Sequence, residues 1–302
     1  MNLFVINRHA GNGNGQHVWA DIEPRYKKLG IPYIACMSTT PEQAEEQVKA
    51  HLVTYPYADV IVIGGDGTIH RMLPLLAGTH ATLGIIPAGS GNDTARGFGI
   101  PSEPIGALEV MLGGERRLID LMKSHDRWTL TAIANGFDAA VADIVNRSVY
   151  KRWCNLLKIG PVAYLIGIVH MLFTYRPTDV EINVDGDKSL YRNVWLTAIS
   201  NVNSYGGGIR ICPDASADDG KLDICIVHNC SRFTFIRLLP TVFSGKHVKL
   251  RYVSMKRGST IHVQSSQSIV SIGDGERIGT TPFTACIHPG KLNIYAPYVD
   301  SK

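Results

Sequence analysis

The sequence predicts an α/β domain with a doubly wound parallel sheet, followed by an antiparallel β-sandwich domain. Three observations carry that expectation. Continuous apolar runs alternate with helical patterns over residues 1 to 122, short apolar-polar alternations separated by turn signals fill 125 to 295, and 302 residues exceed the usual size of one core. The predicted division is 1–124 and 125–295, with the tail 296–302 free to pack back on the first domain.

In chain order, "LFVI" (3–6) is the first strand and the glycine-rich "NRHAGNGNG" (7–15) follows it. Val18, Ile22, Tyr26 and Leu29 then recur at helical spacing until Gly30 stops them. "IPYIAC" (31–36) is the next strand. Thr40, Pro41 and Gln43 form a capping box with proline at its first helical position, and Ala44, Val48 and Leu52 continue one apolar stripe. "DVIVIGG" (59–65) and "ATLGIIPAG" (81–89) are apolar without alternation, as strands covered on both faces are. Ligands of such Rossmann-like sheets sit outside the carboxyl ends of the strands, so useful residues belong just after each run.

Three loops at that edge are chemically loaded: "NRHAGNGNG", "GGDGT" (64–68) and "GSGND" (89–93). Glycines let backbone N–H groups approach an anion, and a following helix N-terminus adds about half a positive charge, so phosphate is the natural guest. No G-x-x-x-x-G-K-[ST] is present, which excludes a P-loop, and the spacing fits G-x-G-x-x-G poorly. One such loop reads as well as a structural turn; three on one predicted edge favour phosphate. A carboxylate beside phosphates needs a reason. Asp66 and Asp93 either hold a magnesium ion bridging phosphate oxygens or cap the helix that follows each.

In the second half, "RWTLTAIANG", "DVEINVDG", "NVWLTAIS", "KLDICIV", "STIHVQS" and "KLNIYAP" have the rhythm of an antiparallel sandwich. "PDASADDG" gathers Asp214, Asp218 and Asp219 and reads either as a loop of hard oxygen ligands or as a solvated acidic turn. "GDGE" is a type I′ hairpin signal that places Glu276 one residue past the turn.

Composition narrows the class. A hydrophobic content of 45% fills real cores, and a net charge of +4 permits contact with anionic membranes or nucleotides without requiring it. The six cysteines (Cys36, Cys154, Cys212, Cys225, Cys230, Cys286) form no C-x-x-C pair, which suits a reduced cytosolic protein and gives no zinc spacing. "MNLFVIN" reads as a strand and not as a signal peptide. The longest apolar run, Ile159 to Phe173, is shorter than the ~18 residues of a spanning helix, so the expectation is a soluble or peripheral protein.

"INRHAGNGNG", "GGDGT" and "PAGSGNDTARGFGIP" (87–101), followed in order by "KIGPVAYLIG" (158–167), "NSYGGGIRICPDASADDGKLDICIV" (203–227) and "GDGERIGTTPF" (273–283), resemble the catalytic domain of diacylglycerol-kinase-type lipid kinases. That group also includes sphingosine and ceramide kinases and bacterial homologues. "GGDGT" alone is shared with NAD kinases and some phosphofructokinases. The resemblance implies phosphoryl transfer from ATP, with Mg2+, to a lipid hydroxyl. It implies nucleotide contacts at Asn7, Arg8, His9, Ala10 and Gly11, at Thr40 or its neighbour Thr39, at Gly64, Gly65, Asp66, Gly67, Thr68, Ile69 and His70, and at Ser90; Asn92 and Asp93 of the same loop complete the expected nucleotide set. It implies a structural magnesium on Asp219 with backbone oxygens of Ser216 and Lys221, and a general base at Glu276 with Asp274 beside it; Asp66 joins them in the catalytic set. Arg8, His70 and Ser90 depart from the proline, asparagine and threonine common in the family.

A lipid acceptor needs a route from the membrane. Lys151, Arg152 and Lys158 flank the apolar run, and "KHVKLRYVSMKRG" (246–258) carries Lys246, Lys249, Arg251, Lys256 and Arg257; these attract anionic lipid or belong to a core helix and a solvated strand face. Few aromatics are interleaved with them, which argues against nucleic acid. The expected function is a cytoplasmic, peripherally membrane-associated kinase making phosphatidic acid from diacylglycerol. The alternatives are an NAD-kinase-like soluble kinase and a non-catalytic nucleotide- or lipid-binding regulator; a homodimer is left open.

Overall fold

β1 (Asn2–Ile6), β2 (Tyr33–Cys36), β3 (Asp59–Gly64) and β4 (Thr82–Pro87) pair in parallel in the order β2-β1-β3-β4. β1, β3 and β4 are buried almost throughout, as their unbroken apolar runs require. The chain steps from β1 out to β2 and then crosses to β3 on the other side. That reversal opens a crevice at the carboxyl ends of β1 and β3. The structure is a computed structural model that describes residues 1–148 and 160–297.

Helices α1 (Ala10–Lys28), α2 (Pro41–Thr54), α3 (Asp66–Leu76), α4 (Asp93–Gly97) and α5 (Pro104–Leu112) alternate with these strands. Val18, Trp19, Ile22 and Tyr26 form the buried stripe of α1, and the ring of Phe4 on β1 lies 5.1 Å from Trp19 and 4.8 Å from Tyr26. Leu29, expected in that stripe, lies past the helix end and is exposed; the stripe is completed by Trp19. On α2 the Thr40 hydroxyl accepts from the Gln43 N–H at 3.3 Å, while the Gln43 side chain accepts from the N–H and hydroxyl of Thr39. The cap is therefore a variant of the expected box, reaching one residue further out. His51, and not Leu52, is the buried residue of the last turn, with Nε2 3.0 Å from the carbonyl of Met1.

Two compact units result: Met1–Leu121 with the segment from His288, and Met122–Ile287. The predicted second domain included "KLNIYAP", but Asn293 and Ile294 pair in parallel with Thr82 and Leu83 of β4, so this strand is part of the first unit. Alternating burial defines a strand but does not say which sheet it joins. Lys151, Arg152, Lys158 and the residues after Pro297 lie outside the described residues.

β5 (Arg116–Ser124) leads into the second unit and pairs with β6 (Arg127–Thr129). There β7 (Ala132–Gly136), β10 (Leu196–Ser200) and β11 (Leu222–Val227) join β12 (Val253–Gly258), β14 (Val270–Gly273) and β15 (Glu276–Thr280) in an antiparallel sheet of order β12-β11-β10-β7-β14-β15. β13 (Thr260–Ser265) pairs antiparallel with β8 (Thr178–Val184) and with the first residues of β16 (Phe283–Tyr295), and β8 pairs with β9 (Asp187–Val194). Ile133, Ile199 and Ile224 of the first group meet Ile182, Ile261 and Phe283 of the second in the sandwich core. The expected antiparallel sandwich is present.

It also carries helices that strand rhythm did not announce: α6 (Phe137–Arg147), α7 (Gly160–Thr174) and α8 (Arg232–Leu238). Alternate residues of β11 explain them. Leu222, Ile224 and Ile226 face the sandwich core, while Cys225 and Val227 face a second cluster with Phe137, Trp195 and Phe235. The rings of Trp195 and Phe235 stack at 4.4 Å. Among the described residues no helix is long and apolar enough to cross a membrane.

In the first turn of α6, Asp138 accepts from the Ala139 N–H at 2.9 Å and from the Tyr205 hydroxyl. Protein surrounds its carboxyl although the residue keeps some surface, and that desolvation raises the pKa to about 6 against the pull of both bonds. A folded value above the unfolded one means that the folded state holds the proton more tightly. The contribution to stability is therefore complete below about pH 4 and lost as pH rises through about 6. Asp138→Asn is expected to be more stable than the wild type near neutrality and to flatten the pH dependence between those limits. Urea titrations at the two ends of the window test this; parallel wild-type and variant curves would refute it.

Candidate functional site

The three glycine loops interlock at the carboxyl edge of the first unit's sheet. The Asn7 N–H donates to the carbonyl of Ile63 on β3 at 3.0 Å, and Asn7 Nδ2 donates to the Thr68 hydroxyl at 2.9 Å. The Ala88 N–H reaches the carbonyl of Gly64 at 2.9 Å. Asp66 completes the assembly: its carboxylate accepts from the N–H groups of Asp93 at 3.1 Å and Thr94 at 2.8 Å, the first residues of α4. The capping alternative for Asp66 thus needs amending, because it caps not the helix that follows it but the one after the next strand. A carboxylate from "GGDGT" thus caps the start of helix α4 next to "GSGND".

Glycine is required where these segments touch. A Cβ on Gly15 would sit 2.0 Å from the carbonyl oxygen of Asn7, and one on Gly89 would sit 2.5 Å from the Cα of Gly65. Gly11 to Gly13 have φ of +56°, +60° and +93°, so the chain leaves β1 through a left-handed loop before α1 becomes regular. Gly15→Ala is expected to destabilise the protein by about 1–3 kcal/mol, as overpacking does, and to raise KM for nucleotide. A melting curve and a nucleotide titration check it; wild-type values for both would show that the contact relaxes freely.

Of the residues expected to bind nucleotide, Asn7 to Gly11, Gly64 to Thr68, Ser90, Asn92 and Asp93 lie on this edge. Their roles differ. Ser90 and His9 are exposed and Arg8 is half-buried, while Asn92 uses its amide within its own loop, accepting from the Gly89 N–H and donating to the Gly89 carbonyl, both at 2.9 Å. Ile69 packs in the core with Met72 and Leu73, so only its backbone is available. His70 is half-buried on α3. Thr40 follows β2, with its hydroxyl occupied in capping. Arg96 was missed. Its guanidinium pairs with Asp93 and donates to the carbonyl of Gly91 at 3.1 Å, placing a cation in the third loop. "NDTAR" offered that signal, since a helix places residues three apart on one side.

In the second unit, Asp274 and Gly275 have φ of +49° and +83°, which makes β14 and β15 a two-residue type I′ hairpin, the turn the Asp-Gly signal announced. Asp274 does more than turn the chain. Its carboxylate accepts from the N–H groups of Leu130 and Thr131, each at 2.8 Å, and from the Thr131 hydroxyl at 2.6 Å. Asn146 of α6 donates to the carbonyl of Gly275 at 3.2 Å. The hairpin is therefore clamped. Glu276 is exposed, and its carboxylate has no hydrogen bond or ion pair among the described residues. Of the two acids in "GDGE", Asp274 ties the turn to Leu130 and Thr131, while Glu276 is exposed beside it.

At the acidic loop, Asp219 accepts from the Lys221 N–H at 2.9 Å and pairs through its other oxygen with Arg257. The Ser216 hydroxyl donates to Asp218 at 2.6 Å. Among the described residues no group of three or more His, Cys, Asp or Glu side chains could hold a metal ion. In the expected magnesium set of Ser216, Asp219 and Lys221, the Asp219 carboxylate here pairs with the Arg257 guanidinium, which a cation at that carboxylate would displace. Arg257 lies in strand β12, far along the chain, which is why local acidic spacing could not reveal it.

A parallel α/β unit with glycine loops at its carboxyl edge and an antiparallel sandwich is the architecture that comparison with known proteins matches to a class of kinases. Residues 2–124 match the diacylglycerol kinase catalytic domain and residues 131–296 the YegS C-terminal NAD kinase beta sandwich-like domain. A diacylglycerol kinase of Mycobacterium tuberculosis is 38% identical over 97% of this chain and 94% of its own length. The crystal structure of a diacylglycerol kinase from Bacillus anthracis shares the fold with a TM-score of 0.72 at 18% identity, over 98% of this chain and 96% of that one. An NAD kinase from Archaeoglobus fulgidus in complex with ATP has a TM-score of 0.50 at 13% identity, over 98% of this chain and 93% of that one, a likeness of fold alone. The chain belongs to the diacylglycerol kinase family, and it is a lipid kinase.

Proposed function

We propose that the protein transfers the γ-phosphoryl group of ATP to the free hydroxyl of diacylglycerol, giving phosphatidic acid. The observation that carries this reading is the interlocked edge of the first unit, where three glycine loops at the carboxyl ends of the strands are tied into one glycine-lined cradle through Asn7, Gly64, Asp66 and Gly89. Such a cradle suits a polyphosphate, which enters as its Mg2+ complex. Glu276 accepts the acceptor's hydroxyl proton as its oxygen bonds to phosphorus and the bond to the β-phosphate oxygen breaks, leaving ADP. The basic stretch 246–258 contributes peripheral contact with anionic membrane. Incubation with labelled ATP, Mg2+ and a panel of diacylglycerol, sphingosine, ceramide and NAD tests the reading. Label in phosphatidic acid supports it; label in another product reassigns the acceptor.

A further inference from the structure

Helix α7 is apolar on both sides. Its inner side packs Ala163, Ile168, Met171 and Leu172 against the Trp195 cluster, and Gly167 lies so close to α6 that a Cβ there would be 2.5 Å from Val145. Its outer side carries Val162, Leu165, Ile166, Val169 and Phe173, a stripe at helical spacing with Phe173 77% exposed. The stripe continues on α8. Arg232 donates to the carbonyls of Leu172 and Tyr175, stapling the start of α8 to the end of α7, so Phe173 and Phe233 flank one staple. Phe233 is 62% exposed beneath the Arg237 guanidinium, and Ile236 and Phe243 are exposed beyond it.

Charge selects what covers this face. Neither 160–178 nor 228–258 contains an aspartate or glutamate, although the chain has 26, and exposed Lys246, Lys249 and Arg251 follow Phe243. A contiguous apolar patch on a monomer marks an interaction site. A second copy docked by two-fold symmetry would bring cations against cations with no acid between them. An anionic bilayer offers hydrocarbon to the rings and phosphates to the lysines.

We propose that the outer face of α7 and α8 with Phe243 seats the protein on anionic phospholipid bilayers, the rings entering the acyl boundary and the cations lying at the headgroups. At 15 residues α7 is too short to span, so it lies in the interface plane. The inference rests on the lipid-kinase reading for its purpose, since a membrane-held acceptor must meet the enzyme at the surface.

The test is flotation of the full chain with vesicles of phosphatidylcholine alone or mixed with phosphatidylglycerol, for the wild type, the Phe173→Ser/Phe233→Ser pair and Lys246→Glu/Lys249→Glu. Wild type is expected to float with the mixed vesicles. The double serine variant should lose roughly tenfold or more of that binding while phosphorylating a water-soluble short-chain diacylglycerol as wild type does. The glutamate variant should lose the preference for phosphatidylglycerol. Absence of wild-type flotation, or serine variants that float unchanged, would overturn the proposal. So would a wild-type dimer in light scattering that the serine changes dissociate. Flotation as expected from a protein that phosphorylates no lipid would sink the kinase reading and leave the docking face standing.

Discussion

Glu276→Gln is expected to lower the maximal rate of lipid phosphorylation by roughly 10²–10⁴-fold while leaving ATP affinity and melting temperature near those of the wild type. An alcohol is a poor nucleophile at neutral pH, and glutamine keeps the size of glutamate without its capacity to take a proton. The structure sharpens the expectation. The residue begins β15, is exposed, and makes no bond that glutamine would break, so stability should change by no more than about 0.5 kcal/mol. The turn before it is held by Asp274, whose three accepted bonds do not involve Glu276. Loss of rate without loss of binding or stability would isolate proton transfer. Turnover at the wild-type level would remove Glu276 from the mechanism and pass the role to Asp274 or to water.

What the sequence disclosed and what it withheld follow from how far each interaction reaches along the chain. The buried strands, the Thr40 cap and the Asp-Gly hairpin depend on neighbours within a few residues, and each could be read locally. The sheet joined by 291–297 could not, because Ile294 alternates in burial as it would in either domain. The carboxylates divide in the same way. "GGDGT" marked Asp66 as special, but its partners Asp93 and Thr94 lie across a helix and a strand; Asp219 stood out as an acid in a turn, but its partner Arg257 lies on a distant strand. Helix α7 misled for a different reason. Apolar residues on its outer face look the same in sequence as apolar residues in a core.

Asp66→Ala carries the second large effect, and the structure changes its expected form. A residue that only held a metal at the ligand edge would leave the fold untouched when removed. Asp66 instead satisfies two backbone N–H groups, one of them on Thr94, which is buried. Alanine leaves both donors without this acceptor, which costs about 1–3 kcal/mol, so the melting temperature should fall. The third loop would also lose its tie to the second, and since Gly89 packs directly on Gly65, displacement of either opens the phosphate cradle. Lipid phosphorylation is therefore expected to collapse, with ATP binding weakened as well, which separates this variant from Glu276→Gln. Asparagine should not rescue it, because one amide oxygen can accept but the adjoining NH₂ would face the second N–H donor. Excess magnesium should not restore it either, since the lesion is a missing acceptor for backbone N–H groups. A variant that melts like the wild type and regains its rate when magnesium is raised would show that Asp66 acts on the cation, with its contact to α4 incidental.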